Sequence, residues 1–425
     1  MQFFTQESLV QKELLDRFIK YVKIWTESDS CKADQGIIPS MERERDLAEV
    51  LESELKLFGL TDIQITDNCY VYGVLPASEG FENVSSFCLL AHIDTVEEVS
   101  GKDVKPIIHS KYDGAKIYLN CGVCLDPETD DNLALAAKNL ETIITSDGTT
   151  LLGADDKAGV AEIMTTLQYL VGHPELNHGR IEVLFSPDEE TGHGMDKVPL
   201  DLIKSKFAYT VDGGHVGELE TECFNAYGVK ISFVGKSTHT GDAMKGKMVN
   251  ACSIASRFVE MLPNKERPET TCGYEGFYAV MDMNGSIEKC EVSLLLRDFS
   301  NEGMQRRIDF VGRLAETVSE SFGGTCKIEF KEQYKNMKGI LDKNPFVVNS
   351  LVAAYKKAGI EPVFKPIRGG TDGSRLTELG IPTPNIFTGG HNYHSRSEWA
   401  SLEQMCSACE VLIHLSQCVL GENNA

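Results

Sequence analysis

The sequence predicts an α/β fold, a mostly parallel sheet flanked by helices with a βαββαβ domain inserted into it. Three observations point there. Strand-length apolar runs alternate with helical stripes through the first half of the chain, and the rhythm becomes one of alternating residues near Thr221. Acidic and histidine motifs also recur where strand-like runs give way to loops.

Leu9, Leu14, Phe18, Tyr21 and Val22 share one stripe of a first helix, and a second helix is expected over residues 41–58. Residues 87–91 form an apolar run of the length of a buried strand. Residues 157–171 set Val160, Ile163, Met164, Leu167, Leu170 and Val171 at helical spacing. Residues 180–185 and 207–211 are strands again, so strand and helix alternate as in a parallel sheet with covered faces.

Beyond Thr221 the pattern changes. Val229, Ile231 and Phe233 alternate, and Ala251, Ile254, Ala255, Phe258, Val259 and Leu262 then trace a helical face. Residues 277–283 alternate, and so do Cys290, Val292, Leu294 and Leu296, which leaves Arg297 pointing the other way. A helix carried by Met304, Ile308, Val311, Ala315 and Val318 precedes the strand of Cys326, Ile328 and Phe330. The order β-α-β-β-α-β is that of a ferredoxin-like module. The expected division is a catalytic domain of residues 1–221 and 334–425 and an inserted domain of residues 222–333.

Composition narrows the function. The 425 residues exceed what one core usually organises, and 42% hydrophobic residues supply two. With 64 acidic residues against 41 basic ones, the formal charge of -23 repels phosphate backbones and anionic lipid, so neither nucleic acid nor membrane is an expected partner. The start has no basic segment ahead of an apolar one and no stretch approaches the roughly 20 apolar residues of a membrane span, so a cytoplasmic protein is expected. Thirteen cysteines, odd in number and scattered through apolar runs, read as buried thiols in a reducing compartment. Cys121 and Cys124 have no second cysteine or histidine pair nearby and read as coincidence. The glycines of GGTDG have no lysine or serine at phosphate-loop spacing.

Five motifs carry chemistry: Ala91-His92-Ile93-Asp94, Gly153-Ala154-Asp155-Asp156-Lys157, Pro187-Asp188-Glu189-Glu190, Val211-Asp212-Gly213-Gly214 and His391-Asn392-Tyr393-His394-Ser395. Each alone is more often a cap or a turn. Together they are an all nitrogen and oxygen donor set that suits zinc, cobalt or manganese, with no cluster of basic residues nearby to neutralise it. A two-metal hydrolase needs a bridging carboxylate, terminal ligands and one free carboxylate to take the proton of the attacking water. Neighbouring glutamates such as Glu189 and Glu190 can divide those tasks, one on metal and one facing the water. Asp94, two residues after His92, is placed to accept the imidazole's other N–H.

On these motifs, and on TLLGADDKAGVAEIMT, YTVDGGHVGELE, GYEGFY, the segment from Leu296 to Phe299 and KPIRGGTDGSRLTELGIPTPNIFTGGHNYH, the chain resembles the co-catalytic zinc exopeptidases over nearly its whole length. Within them it is similar to the tripeptide aminopeptidases of the peptidase T branch. The resemblance implies removal of the N-terminal residue from short peptides, preferentially tripeptides, through a water bridged by two metals and activated by Glu189. It implies that His92 and Asp212 bind one ion, Glu190 and His394 the other, and that Asp155 bridges them. Zinc is the expected metal, with cobalt or manganese as alternatives. Asp94 and Glu189 would be the catalytic pair, and the bond between Asp155 and Asp156 is often cis in such enzymes. His394 matches the family's histidine that is followed four residues later by an acidic residue, here Glu398, which leaves His391 as a loop residue lining the site.

His239 would be an oxyanion donor from the inserted lid and dimerisation domain, which in relatives comes from the partner subunit of a homodimer. It departs from the family in that Thr240 follows it where a proline is common. Arg297 and Arg368 are candidates to clamp a peptide carboxylate with a planar fork. Residues 116–146, which lead into the metal motifs, match the family poorly and put the entry to the pocket in doubt. The alternative activity is that of a related deacylase, dipeptidase or carboxypeptidase, against which KPIRGGTDG and GYEGFY weigh.

Overall fold

A computed structural model describes residues 9–424 of the chain, with side chains described to residue 421. Residues 1–8, on which the reading of the start partly rests, lie outside it. The strands that form the large sheet before residue 221 are β1 (Thr61–Ile65), β2 (Val71–Leu75), β3 (Phe87–His92), β4 (Ile181–Ser186), β5 (Ala208–Gly213) and β6 (Glu218–Cys223). Strands β7 (Asn225–Val234), β8 (Phe277–Gly285), β9 (Lys289–Asp298) and β10 (Thr325–Tyr334) form a second sheet, and β11 (Val363–Ile367) and β12 (Asn385–Phe387) return to the first. The main helices are α1 (Leu9–Val22), α2 (Glu44–Phe58), α3 (Ala154–Gly172), α4 (Ala251–Glu260), α5 (Asn301–Ser321), α6 (Pro345–Lys357) and α7 (Leu402–Cys418).

The eight strands of the large sheet run in the order β1-β2-β4-β3-β5-β12-β6-β11. Its middle is parallel: β3 pairs with β4 and β5, and β5 with β12. Antiparallel pairs lie to either side, β2 on β4 and β6 on β12. Strands β3 and β4 are buried along their whole length, which is why they read as unbroken apolar runs. Their register sets His92 opposite Ser186, so both strands end at one level of the sheet.

Helix α3 packs against β3 and β5, and α1 and α7 pack on α3. The expected stripe understates its burial. Glu162, Thr165 and Thr166 are as buried as Ile163 and Leu167, and only its C-terminal end, with Val171 42% exposed, reaches solvent. Gly159 is required there, because a Cβ would stand 1.8 Å from the Val211 carbonyl oxygen. The helix is thereby held against the strand that carries Asp212.

By proximity the chain divides into Met1–Thr221, Ile340–Lys365 and Thr371–Ala425 as one compact unit, and Glu222–Gly339 with Pro366–Gly370 as the other. The second unit therefore runs past the expected end at Gln333, as far as Gly339, and takes in Arg368. Its antiparallel sheet has the order β8-β9-β7-β10, and the core beneath joins Ile231, Phe233, Val292 and Leu294 to Ile254 and Phe258 of α4 and Val311 and Val318 of α5. Asn250 and Ser300 cap the two helices by accepting the N–H groups of Cys252 and Gly303. On β8 the expected alternation fails: from Val280 to Gly285 every residue is exposed, and the register shifts between Val280 and Asp282. As the outer strand of its sheet it has only β9 to hold it, and the bulge ends the period of two.

Candidate metal centre

The motifs converge because the parallel strands end together. His92 closes β3, Asp212 is the last residue but one of β5, and Glu189 and Glu190 follow β4. Asp155 and Asp156 stand at the entry to α3 with non-helical dihedrals, joined by a cis peptide bond. His394 lies in the loop after β12, in the left-handed region at φ 57°.

Two groups of three side chains present one ligand atom each within 4.8 Å of one another: His92, Asp155 and Asp212, and Asp155, Glu190 and His394. Asp155 belongs to both. Its Oδ1 lies 3.0 Å from His92 Nε2 and its Oδ2 3.3 Å from His394 Nε2. Asp212 Oδ1 is 3.7 Å from His92 Nε2, and Glu190 Oε2 is 3.0 Å from His394 Nε2. In the first group His92 is buried and Asp155 and Asp212 are mostly so, whereas His394 is 47% exposed and opens the second to solvent. His391 is in neither: it is buried between the rings of Trp399 and His215 and bonded to Gln404 at 2.8 Å, a packing residue.

Asp94 makes more contacts than its spacing from His92 suggested. Its Oδ1 is paired with His92 Nδ1 at 3.3 Å, while its two oxygens accept the N–H groups of Glu189 at 3.0 Å and Glu190 at 3.2 Å. It therefore ties the first histidine to the loop of paired glutamates. That loop is held from behind as well. The N–H of Asp188 is donated to Glu44 Oε2 at 3.2 Å, and Asp188 Oδ2 accepts the N–H of Ser40 at 2.7 Å.

The charges are mutually strained. Burial lifts Glu189 and Asp212 well above the usual carboxylate range, and burial with the charge of Asp155 lifts Glu190 to about 7. Asp155 moves the other way. Burial opposes its ionisation, but His394 and His92 outweigh it and hold it well below the usual range. Hydrogen bonds to Asp155 and Glu190 push His394 up to about 11. One buried oxygen, Glu190 Oε1, has no partner at all. The three carboxylates and two imidazoles of the triads suit a pair of divalent cations, which would neutralise the acids and give the orphaned oxygen a partner.

Some features escaped sequence reasoning. The acidic site is not without a basic side chain: Lys157 is 1% exposed, donates to the Ile24 carbonyl at 2.8 Å, and burial lowers it to about 7 against the pull of Glu398 and Asp94. Asp372 of GGTDG is buried and accepts the Ser186 hydroxyl at the end of β4. The hydroxyl of Tyr393, raised by burial and by the charge of Asp155, bonds Thr388 at 2.9 Å. Only the position of Lys157 beside the Asp155 motif could have signalled any of these.

The remaining candidates lie in the second unit. His239 is exposed, and its Nδ1 accepts the Gly241 N–H at 3.1 Å. Arg297 is 9% exposed, donates to the Leu296 carbonyl and lies 5.5 Å from the Tyr334 ring. The fork of Arg368 is already engaged by Gly273 O, Glu275 O and Thr271 Oγ1, over the rings of Phe224 and Phe277, so it braces the segment that contains GYEG. Cys121 and Cys124 are free and exposed. The poorly matching segment does border the site: Cys124, Asp130 and Asn132 line a cavity of about 610 Å³ together with Asn392, Tyr393 and Ser395.

The chain is similar to known proteins over most of its length. The sequence model of peptidase family M20/M25/M40 matches residues 145–417. Peptidase T of Clostridium perfringens is 44% identical over 405 residues, 95% of this chain and 98% of that protein. The crystal structure of aminopeptidase PepT from Bacillus cereus shares the fold with a TM-score of 0.75 at 24% identity, covering 96% of this chain and 98% of that one. A dinuclear metal-binding peptidase of family M20 from Bacillus subtilis shares it with a TM-score of 0.67 at 15% identity, covering 97% and 98%. Among the described residues no helix is long and apolar enough to cross a membrane.

Proposed function

The chain belongs to peptidase family M20/M25/M40, and we infer that it is a metal-dependent aminopeptidase acting on tripeptides and works with two divalent ions, zinc before cobalt or manganese. In this reading His92 and Asp212 hold one ion, Glu190 and His394 the other, and Asp155 serves both. The observation that carries it is the division of the Asp155 carboxylate, one oxygen toward each imidazole at 3.0 and 3.3 Å. When bound, the pair supplies Lewis-acid polarisation of the scissile carbonyl and lowers the pKa of water to near neutrality.

The chain's own groups do the rest. Glu189, outside both triads, takes the proton of the attacking water and returns it to the leaving amine, a task suited to a carboxyl that burial lifts above the usual range. Asp94 orients His92 and, through the two amide N–H groups, aims Glu189 and Glu190. His239 donates to the developing oxyanion from the lid of the partner subunit of a homodimer, the ferredoxin-like second unit being that lid. Arg297 is the candidate for the substrate carboxylate; the engaged fork of Arg368 favours a bracing role instead. The strongly acidic surface and scattered free thiols support a cytoplasmic setting.

Stripped by a chelator and titrated with Zn2+, the chain is expected to regain tripeptide hydrolysis up to two equivalents per chain. A plateau at one equivalent would contradict the shared carboxylate, and no recovery with any divalent ion would sink the reading.

A further inference from the structure

The loop that presents His394 ends in a carboxylate with an unusual set of partners. Glu398 is 1% exposed and lies within no candidate ligand triad. Its Oε2 accepts the N–H groups of Leu152 at 2.7 Å and Gly153 at 2.8 Å, and its Oε1 those of Ala154 at 2.7 Å and Asp155 at 3.1 Å. Four successive backbone donors thus converge on one side chain more than 240 positions away. Gly153 makes the convergence possible, because its φ of 83° turns neighbouring amides to one side.

We propose that Glu398 is a positioning residue that locks the Asp155 loop to the His394 loop and so sets the spacing of the metal ligands. The proposal rests on the two-ion reading above. Asp155 is the last donor of the four and the one carboxylate common to both triads, so any turn of its backbone moves a ligand of each ion. His394 is four residues from Glu398 in a tight loop, where the Glu398 N–H donates to the Ser395 carbonyl at 3.3 Å. One buried side chain therefore holds the loops of two members of the second triad, Asp155 and His394. With each oxygen serving two amides, Glu398→Gln keeps the shape but sets an NH2 against two backbone donors.

The test uses the full-length chain. Zn2+ affinity is measured by competition with a chromophoric chelator, and hydrogen exchange of the amides of residues 152–155 is followed in the chelated protein. Glu398→Gln is expected to weaken Zn2+ binding by about 10–100-fold, the usual loss when a group orienting metal ligands is removed. Exchange at residues 152–155 should accelerate by at least about tenfold, with melting of the chelated protein little changed and the loss in kcat larger than any change in KM. Gly153→Ala attacks the same convergence from the other side and is expected to give the same pattern if the glutamine variant does not fold. Zn2+ affinity within twofold of wild type, unchanged exchange at these amides, or a loss of protection spread over the whole chain would each overturn the proposal. Wild-type chain that takes up no Zn2+ would instead overturn the two-ion reading on which it stands.

Discussion

Glu189→Gln chains lose tripeptide turnover by about 10²–10⁴, the range for removal of a general base, while still holding two ions each. The substitution keeps the shape of the side chain and removes only its ability to take a proton. Metal binding survives because Glu189 lies in neither triad, and its N–H, which Asp94 accepts, is untouched. The same variant tests the lid. His239→Ala is expected to lower kcat by about 10²–10³, as loss of one oxyanion donor does, with metal retained. If His239 acts across a dimer, mixed and exchanged chains of the two variants contain one site with both groups intact, and activity reappears. Near-wild-type turnover in Glu189→Gln would remove it from the role of base. No recovery in a demonstrated heterodimer would confine His239 to its own chain or to no role.

Asp155→Ala is expected to empty both metal positions and abolish hydrolysis. Each triad loses one of its three donors, and the carboxylate that screens the two cations from each other goes with them. The remaining donors are also left poorly matched, since His394 loses one of the two carboxylates that hold it and His92 Nε2 keeps only the more distant Asp212 at 3.7 Å. Elemental analysis of the purified variant reads the outcome. Two ions per chain in Asp155→Ala would overturn the shared role, and one ion would assign Asp155 to a single position.

How much of this was legible depended on whether a residue's neighbours are close in sequence. Strands β3 and β4 announce themselves because both faces are buried, and three of the ligand motifs because they sit at the ends of β3, β4 and β5. Alternation located β7 and β9, whose inner faces meet α4 and α5, and failed on β8, where a bulge and a single neighbouring strand leave residues 280–285 outside any core. The stripe of α3 was real but hid its second buried face, which only the packing of α1 and α7 creates. In the centre, the ligand types were readable and the supporting contacts were not. Lys157 looked like the start of a helix, Arg368 like a free fork, and Glu398 like a marker for His394. Their partners Ile24, the loop of residues 271–275 and the amides of residues 152–155 lie far along the chain, where no periodicity reaches.

The central claim is that this chain releases the N-terminal residue of a tripeptide through a metal-dependent reaction, and product analysis tests it most directly. Zinc-loaded protein is incubated with a dipeptide, a tripeptide, a tetrapeptide of matched sequence and the N-acetylated tripeptide, and the products are identified by mass. The expected result is a free N-terminal residue and a dipeptide from the unblocked tripeptide, far less from the other lengths, none from the acetylated peptide and none from any peptide after chelation. Release of the C-terminal residue, or deacetylation of the blocked peptide in preference to hydrolysis of the free one, would contradict it.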